Sequence, residues 1–309
     1  MKKLLVIISI ILFLGGILTI FIFIDNISAF LFSEQIGDSF PRYELLKVII
    51  QSIGGFTILF GLFISIKRLN FAERNIEFNT KTLRLTQESV KNERLKNSLE
   101  SIGSTASEVR IASFYSLISI AKIDSTEKET IFNILTTYLR NYTLNKAVNN
   151  DEIQILMDLL FRFENKDIFS NFKPNLEYVI FKKLNLNNSQ LFNASFHGAR
   201  MNQIYFNNSD LRMSYFTKAK LQIVNFDGCD LSDALVTESL FDQVSFMSAN
   251  LIGVKFNGCQ LHNCNFALAK GINQNTFSNT KSLIACHGID EKFIDILRKD
   301  YPNKIIKDK

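Results

Sequence analysis

From Leu186 to Phe266 every fifth residue is apolar, without interruption over seventeen positions. Side chains repeat their direction about every 3.6 residues in an α-helix and about every 2 residues in a β-strand, so neither explains a period of five. A chain that turns at regular intervals does explain it, and the pattern predicts a solenoid. The positions are Leu186, Leu191, Phe196, Met201, Phe206, Leu211, Phe216, Leu221, Phe226, Leu231, Val236, Phe241, Phe246, Leu251, Phe256, Leu261 and Phe266.

A small residue stands two positions before most of these apolar residues. We interpret the unit as one side of a square coil, in which the large and the small residue point inward and the other three face solvent. Because stacked strands lie about 4.8 Å apart, seventeen sides predict roughly four coils and a height of about 20 Å. The small residues are Ser189, Ala194, Ala199, Ser209, Ser214, Ala219, Cys229, Ala234, Ser239, Ala249, Cys259 and Cys264.

Phenylalanine occupies every tenth position from 196 to 266, with the single exception of Val236. With four sides in a coil, this spacing predicts phenylalanine on two opposite sides and smaller residues on the other two. The side that follows Val236 carries Phe241 instead of Leu or Met. We interpret this exchange as compensation of volume, which a close-packed interior requires.

Three segments carry a recognisable motif: Ser209-Asp210-Leu211, Cys229-Asp230-Leu231 and Ala249-Asn250-Leu251. They resemble the pentapeptide repeat family, whose pattern is A-(D/N)-L-X-X, and the likeness extends over roughly residues 181–277. The resemblance implies a right-handed quadrilateral β-helix. Residues 83–88, 108–110 and 151–154 also resemble the region that precedes the repeats in two-span membrane members of this family.

Two apolar segments near the N-terminus are long enough to cross a bilayer, which needs about 20 residues. Leu4 to Ile24 has 21 residues and Val48 to Ile66 has 19. For the first, cleavage as a signal peptide is the alternative, although Ile27-Ser28-Ala29 is a weak cleavage site. Seven Lys or Arg residues flank the outer ends of the spans and two lie between them. This distribution predicts a multi-pass protein of a bacterial-type inner membrane, with both termini in the cytoplasm.

The segment from Lys67 to Leu99 contains no proline or glycine and is predicted to be one long helix. It carries two apolar stripes on opposite sides, which indicates that more than one surface of the helix is covered. The partner is either the following helices of the same chain or the same helix of a second subunit. Heptad spacing of the first stripe favours self-association. The stripes are Leu69, Ile76, Leu83 and Val90, and Phe71, Phe78 and Leu85.

Capping signals predict a small helical module before the repeats. Thr105-Ala106-Ser107-Glu108 has the form of a capping box, which places a helix start near Ser107. Asp124 to Glu127 is expected to cap a helix over 131–141, and Asn150-Asp151 a helix over 152–163. Ile289 to Lys299 is amphipathic and is expected to cover the C-terminal end of the solenoid.

The predicted fold class is thus a membrane-anchored α + β-solenoid. Residues 1–68 form a membrane anchor with two transmembrane helices, at about 4–24 and 48–66. Residues 69–165 form a cytosolic helical module, and residues 166–280 the β-helix. Residues 281–309 form a capping helix and a basic tail.

The sequence contains no phosphate-binding loop, dinucleotide turn, H-E-x-x-H or G-x-S-x-G motif. Its four cysteines lack the spacing of a zinc site and are expected to be free thiols. His197 and His262 each follow an inward position and are expected at the surface. We therefore expect a protein without catalytic activity, cofactor or metal.

Three functional classes remain open. The first is a membrane-tethered scaffold that presents the β-helix to an unknown cytosolic protein. The alternative is a regulated, self-associating membrane effector that perturbs the bilayer. A DNA mimic that protects topoisomerases, as soluble relatives do, is disfavoured, because residues 181–281 contain nine basic and six acidic residues. No nucleic-acid partner is expected.

Overall fold

The computed structural model describes residues 42–144, 149–162, 165–300 and 305–307. The predicted first span, Leu4 to Ile24, lies outside these residues and stays a prediction. The chain divides into two compact units, one up to Leu85 and one from Thr86 onward.

Helix α1 runs without a break from Arg42 to Ile102 over 61 residues. It contains both the predicted second span and the helix predicted from Lys67 to Leu99, so the expected domain boundary at residue 68 lies inside one helix. From Ile49 onward it is long and apolar enough to cross a membrane, and none of its most apolar 18-residue window is buried.

The helical module consists of α2 (Ser107–Ile123), α3 (Lys128–Thr143), α4 (Asn150–Phe161) and the short α5 (Lys166–Phe169). The capping box predicted at 105–108 is wrong: the N-cap is Ala106, which places Glu108 at the second helical position, where it cannot return to the cap. For α4, Asn149 rather than Asn150 is the cap, and its side chain accepts a hydrogen bond of 3.0 Å from the Asp151 amide. This helix ends at Phe161, not at Phe163.

Helix α3 begins three residues before its predicted start. Its N-cap, Glu127, makes no side-chain capping bond. Asp124 instead accepts hydrogen bonds from the amide and hydroxyl of Thr126 at 2.9 and 2.6 Å and pairs with Lys91 of α1 at 2.7 Å. The carboxylate expected to cap α3 therefore closes the preceding turn and joins it to α1.

The repeats form a solenoid of parallel strands. The first sheet contains β1 (Ile180–Asn185), β2 (Arg200–Tyr205), β4 (Lys220–Asn225), β6 (Leu240–Ser245), β8 (Gln260–His262), β9 (Ser282–Ile284) and β10 (Ile305–Lys307), in that order. The second contains β3 (Tyr215–Thr217), β5 (Leu235–Thr237) and β7 (Lys255–Asn257).

Paired residues in the first sheet are twenty positions apart from residue 180 to residue 260, which is the predicted coil length. The last step, from Gln260 to Ser282, is 22 residues, and a 3₁₀ turn at Gln274–Thr276 interrupts the repeat before it. Parallel bridges extend from Asn175 to His287. The solenoid therefore has about five turns instead of four. Its strand pairing begins after α5 and continues past residue 280.

All seventeen apolar positions lie in the interior, with exposed fractions of 3% or less. The rings of Phe206, Phe226, Phe246 and Phe266 form one stack, with successive centroids 5.2, 5.3 and 5.1 Å apart. A second column on the opposite side contains Phe196 and Phe216, 4.9 Å apart. Edge-to-face contacts join the two columns and fill the core.

Phe241 occupies the space that Val236 leaves. Its ring lies 5.8 Å from the rings of both Phe246 and Phe256. The void that remains beside Val236 is only about 10 Å³, at the lower limit of the volume that a water molecule needs.

Helices close the first coil of the solenoid. The Gln154 side chain accepts a hydrogen bond from the Asn185 amide at 2.8 Å and donates one to the Asn185 carbonyl at 2.7 Å. The Gln190 amide donates to the Phe161 carbonyl at 2.7 Å. These bonds satisfy backbone groups that would otherwise form an open sheet edge.

At the C-terminal end, α6 (Glu291–Asp300) covers the last coil through Leu297, which is 1% exposed, and Ile294. The helix begins two residues later than predicted. The Asp290 carboxylate accepts a hydrogen bond of 2.9 Å from the Lys292 amide at its start.

Candidate interaction surface

A buried carboxylate joins three helices of the module. Glu152 of α4 is fully buried, and the guanidinium of Arg110 from α2 donates to its two oxygens at 2.8 and 2.6 Å. The Ser107 and Tyr142 hydroxyls donate at 2.9 and 3.1 Å, and the Tyr138 hydroxyl donates as well. We call these five residues the Glu152 network. Such a charge is stable in the interior only because every lone pair is engaged.

Two opposing effects act on the pKa of Glu152. Burial is the largest and raises the pKa, but the hydrogen bonds from Arg110, Tyr138, Ser107 and Tyr142 together outweigh it and hold the pKa below its ordinary value. The bond to Glu152 raises the pKa of Arg110. The pair therefore stays ionised and holds α2, α3 and α4 together.

The network explains two of the three segments that resembled the region before the repeats. Arg110 lies in the segment 108–110 and Glu152 in the segment 151–154, and the fold brings these two residues into contact. Gln154, also in the segment 151–154, binds the first coil. Arg110 and Glu152 thus hold the helical module together and Gln154 joins it to the solenoid, structural roles that their sequence separation concealed. Within the described residues, no cluster of His, Cys, Asp or Glu could hold a metal ion.

One side of the solenoid has an unusual charge distribution. Strands β1, β2 and β4 present Lys182, Lys183, Arg200 and Lys220 outward, all exposed. The three strands contain no acidic residue, and none of these four side chains forms an ion pair among the described residues. We call this side the basic face.

Two features of the basic face are locally unfavourable. Arg200 and Lys220 are paired residues on adjacent strands, and like charges in that position repel each other. Ile223 is a β-branched residue at φ 53°, in the left-handed region, with 38% of its surface exposed. A left-handed conformation costs an L-residue about 1–2 kcal/mol, and β-branched residues rarely adopt it. The left-handed conformation itself belongs to the repeat, since Lys183, Gln203 and Gln243 adopt it at the equivalent positions; the unusual choice is a β-branched residue at this corner.

Elsewhere the outward side chains of the solenoid form hydrogen bonds with one another, either within one coil or between neighbouring coils. Arg212 binds both oxygens of Asp210, at 2.8 and 2.7 Å. The Asn250 amide donates to the Asp230 carboxylate at 3.0 Å, and the Thr237 hydroxyl donates to Thr217 at 3.1 Å. Exposed lysines without an ion pair among the described residues also occur at Lys255, Lys270 and Lys281, so the basic face is distinguished by the clustering of four such cations on three adjacent strands.

A groove of about 440 Å³ follows the basic face across β1, β2, β4 and β6. Arg200 and Lys220 lie along one edge of the groove. Along the other edge, Lys182, Asn202, Gln222 and Asp242 follow one another on the paired strands, and a hydrogen bond of 2.8 Å joins Asn202 to Gln222, so the groove is basic at the β1 end and carries one carboxylate at the β6 end. Tyr205, which is 47% exposed, lies on the adjacent side of the coil, just past the corner at Gln203. This combination of cations, amides and an aromatic ring provides hydrogen-bond donors and a contact anchor for an acidic partner.

The residues expected to mediate self-association are exposed. The exposed fractions of Leu69, Ile76, Leu83 and Val90 are 61, 66, 59 and 51%. The second stripe is exposed to a similar degree: 61% for Phe71, 69% for Phe78 and 58% for Leu85.

The histidines and cysteines that were considered as candidates for catalysis or metal binding lie in surroundings typical of structural residues. His197 contacts the ring of Tyr178, with centroids 5.2 Å apart, and His262 lies 3.1 Å from the Ser282 hydroxyl. The four cysteines are free; Cys229, Cys259 and Cys264 are buried and Cys286 is partly exposed. Neither histidine has a carboxylate partner among the hydrogen bonds of the described residues.

Comparison with known proteins identifies the repeat region. The family model for pentapeptide repeats matches in eight copies, over residues 175–208, 203–233 and 229–266. The chain therefore contains a pentapeptide-repeat β-helix. No curated protein matches the sequence.

Solved structures with a detectable likeness are also pentapeptide repeat proteins. They include trypsin-treated QnrB1, a plasmid-mediated fluoroquinolone resistance protein (15% identity, 43% of this chain and 76% of that chain, TM-score 0.27). Rfr23 from the cyanobacterium Cyanothece 51142 is 18% identical (38% and 86% covered, TM-score 0.26). HetL from Nostoc sp. strain PCC 7120, involved in regulation of heterocyst differentiation, is 13% identical (43% and 56% covered, TM-score 0.16).

Proposed function

We propose that this protein is a non-enzymatic scaffold that is tethered to a membrane and binds an acidic cytosolic protein through the basic face. The two apolar segments, with both termini in the cytoplasm, provide the tether. The observation that carries the proposal is the placement of four unpaired cations on one flat side of a rigid β-helix. Natural sequences depart from locally favourable choices mainly at functional sites.

A protein fits the basic face better than a nucleic acid does. Binding to DNA usually engages about 6–10 phosphates, whereas this face offers four cations. Tyr205 and Ile223 add exposed apolar area next to the charges, which suits the centre of a protein interface. Since rim charges act mainly on association, binding is expected to weaken as salt increases.

The first experiment removes the charges from the basic face. The variant Lys182→Gln, Lys183→Gln, Arg200→Gln, Lys220→Gln is compared with Lys255→Gln, Lys270→Gln, Lys281→Gln, Lys292→Gln, which lowers the net charge equally at exposed positions elsewhere. Tagged full-length proteins are purified from gently solubilised membranes, and partners are quantified by mass spectrometry. An acidic protein should be retained by the wild type and the control and lost about tenfold or more from the basic-face variant.

Two further measurements distinguish a specific partner from adventitious capture. A photo-crosslinker at Gln203, on the basic face, should react with the same protein, whereas one at Asn273 should not. Ile223→Asn should raise the stability of the β-helix by about 1 kcal/mol, since asparagine adopts the left-handed conformation more readily, and should weaken binding. A partner retained equally by both charge variants contradicts the proposal.

A second function, a self-associating membrane effector, is favoured by the exposed stripes of α1. If Leu83 lies at a contact between subunits, Leu83→Lys should dissociate the oligomer, because an ammonium would be desolvated without a partner. Arg84→Lys, the adjacent matched control, should have little effect. Light scattering and cross-linking in mild detergent measure the mass of both variants. If the wild-type protein is monomeric at every concentration, self-association is excluded, and the membrane-tethered scaffold remains as the proposed function.

A further inference from the structure

The last coil brings two cysteines to equivalent positions on neighbouring turns. His262 pairs with Ile284, and Asn265 pairs with His287, both with an offset of 22 residues. The same offset places Cys264 opposite Cys286. Neighbouring strands lie about 4.8 Å apart, and disulfide-bonded cysteines have Cα atoms about 4.4–6.8 Å apart. The backbone therefore holds the two thiols within reach of each other.

The two thiols differ in environment. Cys264 is fully buried, with its Sγ 3.4 Å from the His262 carbonyl, whereas Cys286 is partly exposed, with its Sγ 3.3 Å from the Leu261 carbonyl. A hydrogen bond between the two thiols lowers the pKa of Cys286 and, together with burial, raises the pKa of Cys264. Cys286 is thus the more exposed of the two residues and carries the thiol with the lowered pKa, and Cys264 lies directly beside it.

The other two cysteines have no thiol beside them. The pairing of Asp230 with Asp210 and Asn250 places Ser209 and Ala249 next to Cys229. The pairing of Gln260 with Leu240 and Ser282 places Ser239 and Lys281 next to Cys259. Burial raises the pKa of Cys229 to about 12 and that of Cys259 to about 11. These two cysteines are fillers of the small-residue position and serve as internal controls.

We propose that Cys264 and Cys286 form a peroxide-sensitive dithiol that closes reversibly to a disulfide between the last two coils. The Cys286 thiolate attacks one oxygen of hydrogen peroxide; an S–O bond forms, the O–O bond breaks, and hydroxide leaves. Cys264 then loses its proton and attacks the Cys286 sulfur, so that the S–S bond forms and the S–O bond breaks. The oxygen that was bound to the Cys286 sulfur leaves as hydroxide and takes up a proton to become water. In sum, two thiols and one peroxide give one disulfide and two waters.

The geometry makes this bond labile. Side chains on stacked strands run side by side, about 4.8 Å apart, while Cβ atoms in a disulfide are about 3.8 Å apart. To form the bond, the last coil must move about 1 Å along the solenoid axis towards the preceding coil, and a strained disulfide is easily reduced. Helix α6 packs on this end of the solenoid through Leu297. The disulfide would therefore restrain the coil that lies next to the C-terminal capping helix.

The experiment uses the reduced full-length protein in detergent. After brief treatment with hydrogen peroxide, thiols are counted in denaturant, and the protein is digested and analysed by mass spectrometry. Two of the four thiols should disappear, return on reduction, and be found as a peptide pair linking Cys264 to Cys286. Cys264→Ser should instead accumulate a sulfenic acid at Cys286 that reacts with dimedone. Cys286→Ser should keep all three of its thiols.

Matched controls are Cys229→Ser and Cys259→Ser, each of which should still form the Cys264–Cys286 link. Equal loss of all four thiols would show general exposure through unfolding and overturn the proposal. Oxidation of Cys286 without a link to Cys264, or resistance of all four thiols, would overturn it as well.

Discussion

Phe226→Lys is expected to unfold the β-helix. The Phe226 ring is 1% exposed and stacks between Phe206 and Phe246, with a third contact to Phe216 at 5.7 Å. Removing such a ring costs about 3–5 kcal/mol, and the lysine adds a buried charge with no partner. Since a domain is stable by only about 5–15 kcal/mol in total, the variant should lose its cooperative melting transition and its protease resistance.

The matched control is Gln243→Lys, an exposed position on the next coil. Its backbone has φ 55°, and Lys183 adopts φ 53° at the equivalent position of the first coil, so the site accepts lysine. A surface change of this kind should alter stability by no more than about 0.5 kcal/mol. If limited proteolysis and circular dichroism gave the same result for both variants, the inward direction of Phe226 would be wrong.

The sequence predicted the interior of the solenoid well because period five has one physical explanation. It underestimated the number of coils because the count began at Leu186, although Leu176 and Phe181 continue the same five-residue spacing towards the N-terminus. At the other end, Phe277 and Leu283 are buried but out of register with the pattern. The Gln274–Thr276 turn before the last coil adds two residues. A count of five-residue units in the sequence cannot detect this two-residue insertion.

Interactions between side chains outside the solenoid core were harder to predict from the sequence than the core itself. A coil of twenty residues implies that Arg200 and Lys220 stack, so the repulsion on the basic face could have been found from the spacing. The dithiol could not, since the offset of 22 between Cys264 and Cys286 arises from the insertion. Arg110 and Glu152, 42 residues apart on different helices, follow no periodic pattern, and only the resemblance of their segments to a family pointed to them.

The membrane and assembly predictions depend on a different kind of signal. Apolar length predicts a span by composition alone, and α1 has that length. Whether its exposed stripes contact a second copy depends on surfaces outside one chain, which the intramolecular packing does not fix. Leu83→Lys and its control are therefore the direct route to this part of the function.

Arg110→Met is expected to destabilise the helical module by about 3–5 kcal/mol, because it leaves the fully buried Glu152 without its cation. The exposed pair of Arg212 and Asp210 provides the control: Arg212 is 50% exposed at the side chain, and Arg212→Met should cost less than about 1 kcal/mol. The double variant Arg110→Met/Glu152→Leu should recover most of the loss, since an apolar pair needs no charge compensation. Urea unfolding followed by circular dichroism measures all three.

The same residues predict a dependence on pH. The folded-state pKa of Glu152 is depressed, so its contribution to stability is present above the unfolded value of about 4.3 and is lost as the pH falls through the folded value. In Arg110→Met, burial is no longer outweighed to the same extent, and the pKa of Glu152 rises. The acid unfolding transition of this variant should therefore move to higher pH, while that of Arg212→Met should stay close to the wild type. An unchanged acid transition in Arg110→Met would mean that Tyr138, Tyr142 and Ser107 suffice to keep Glu152 ionised.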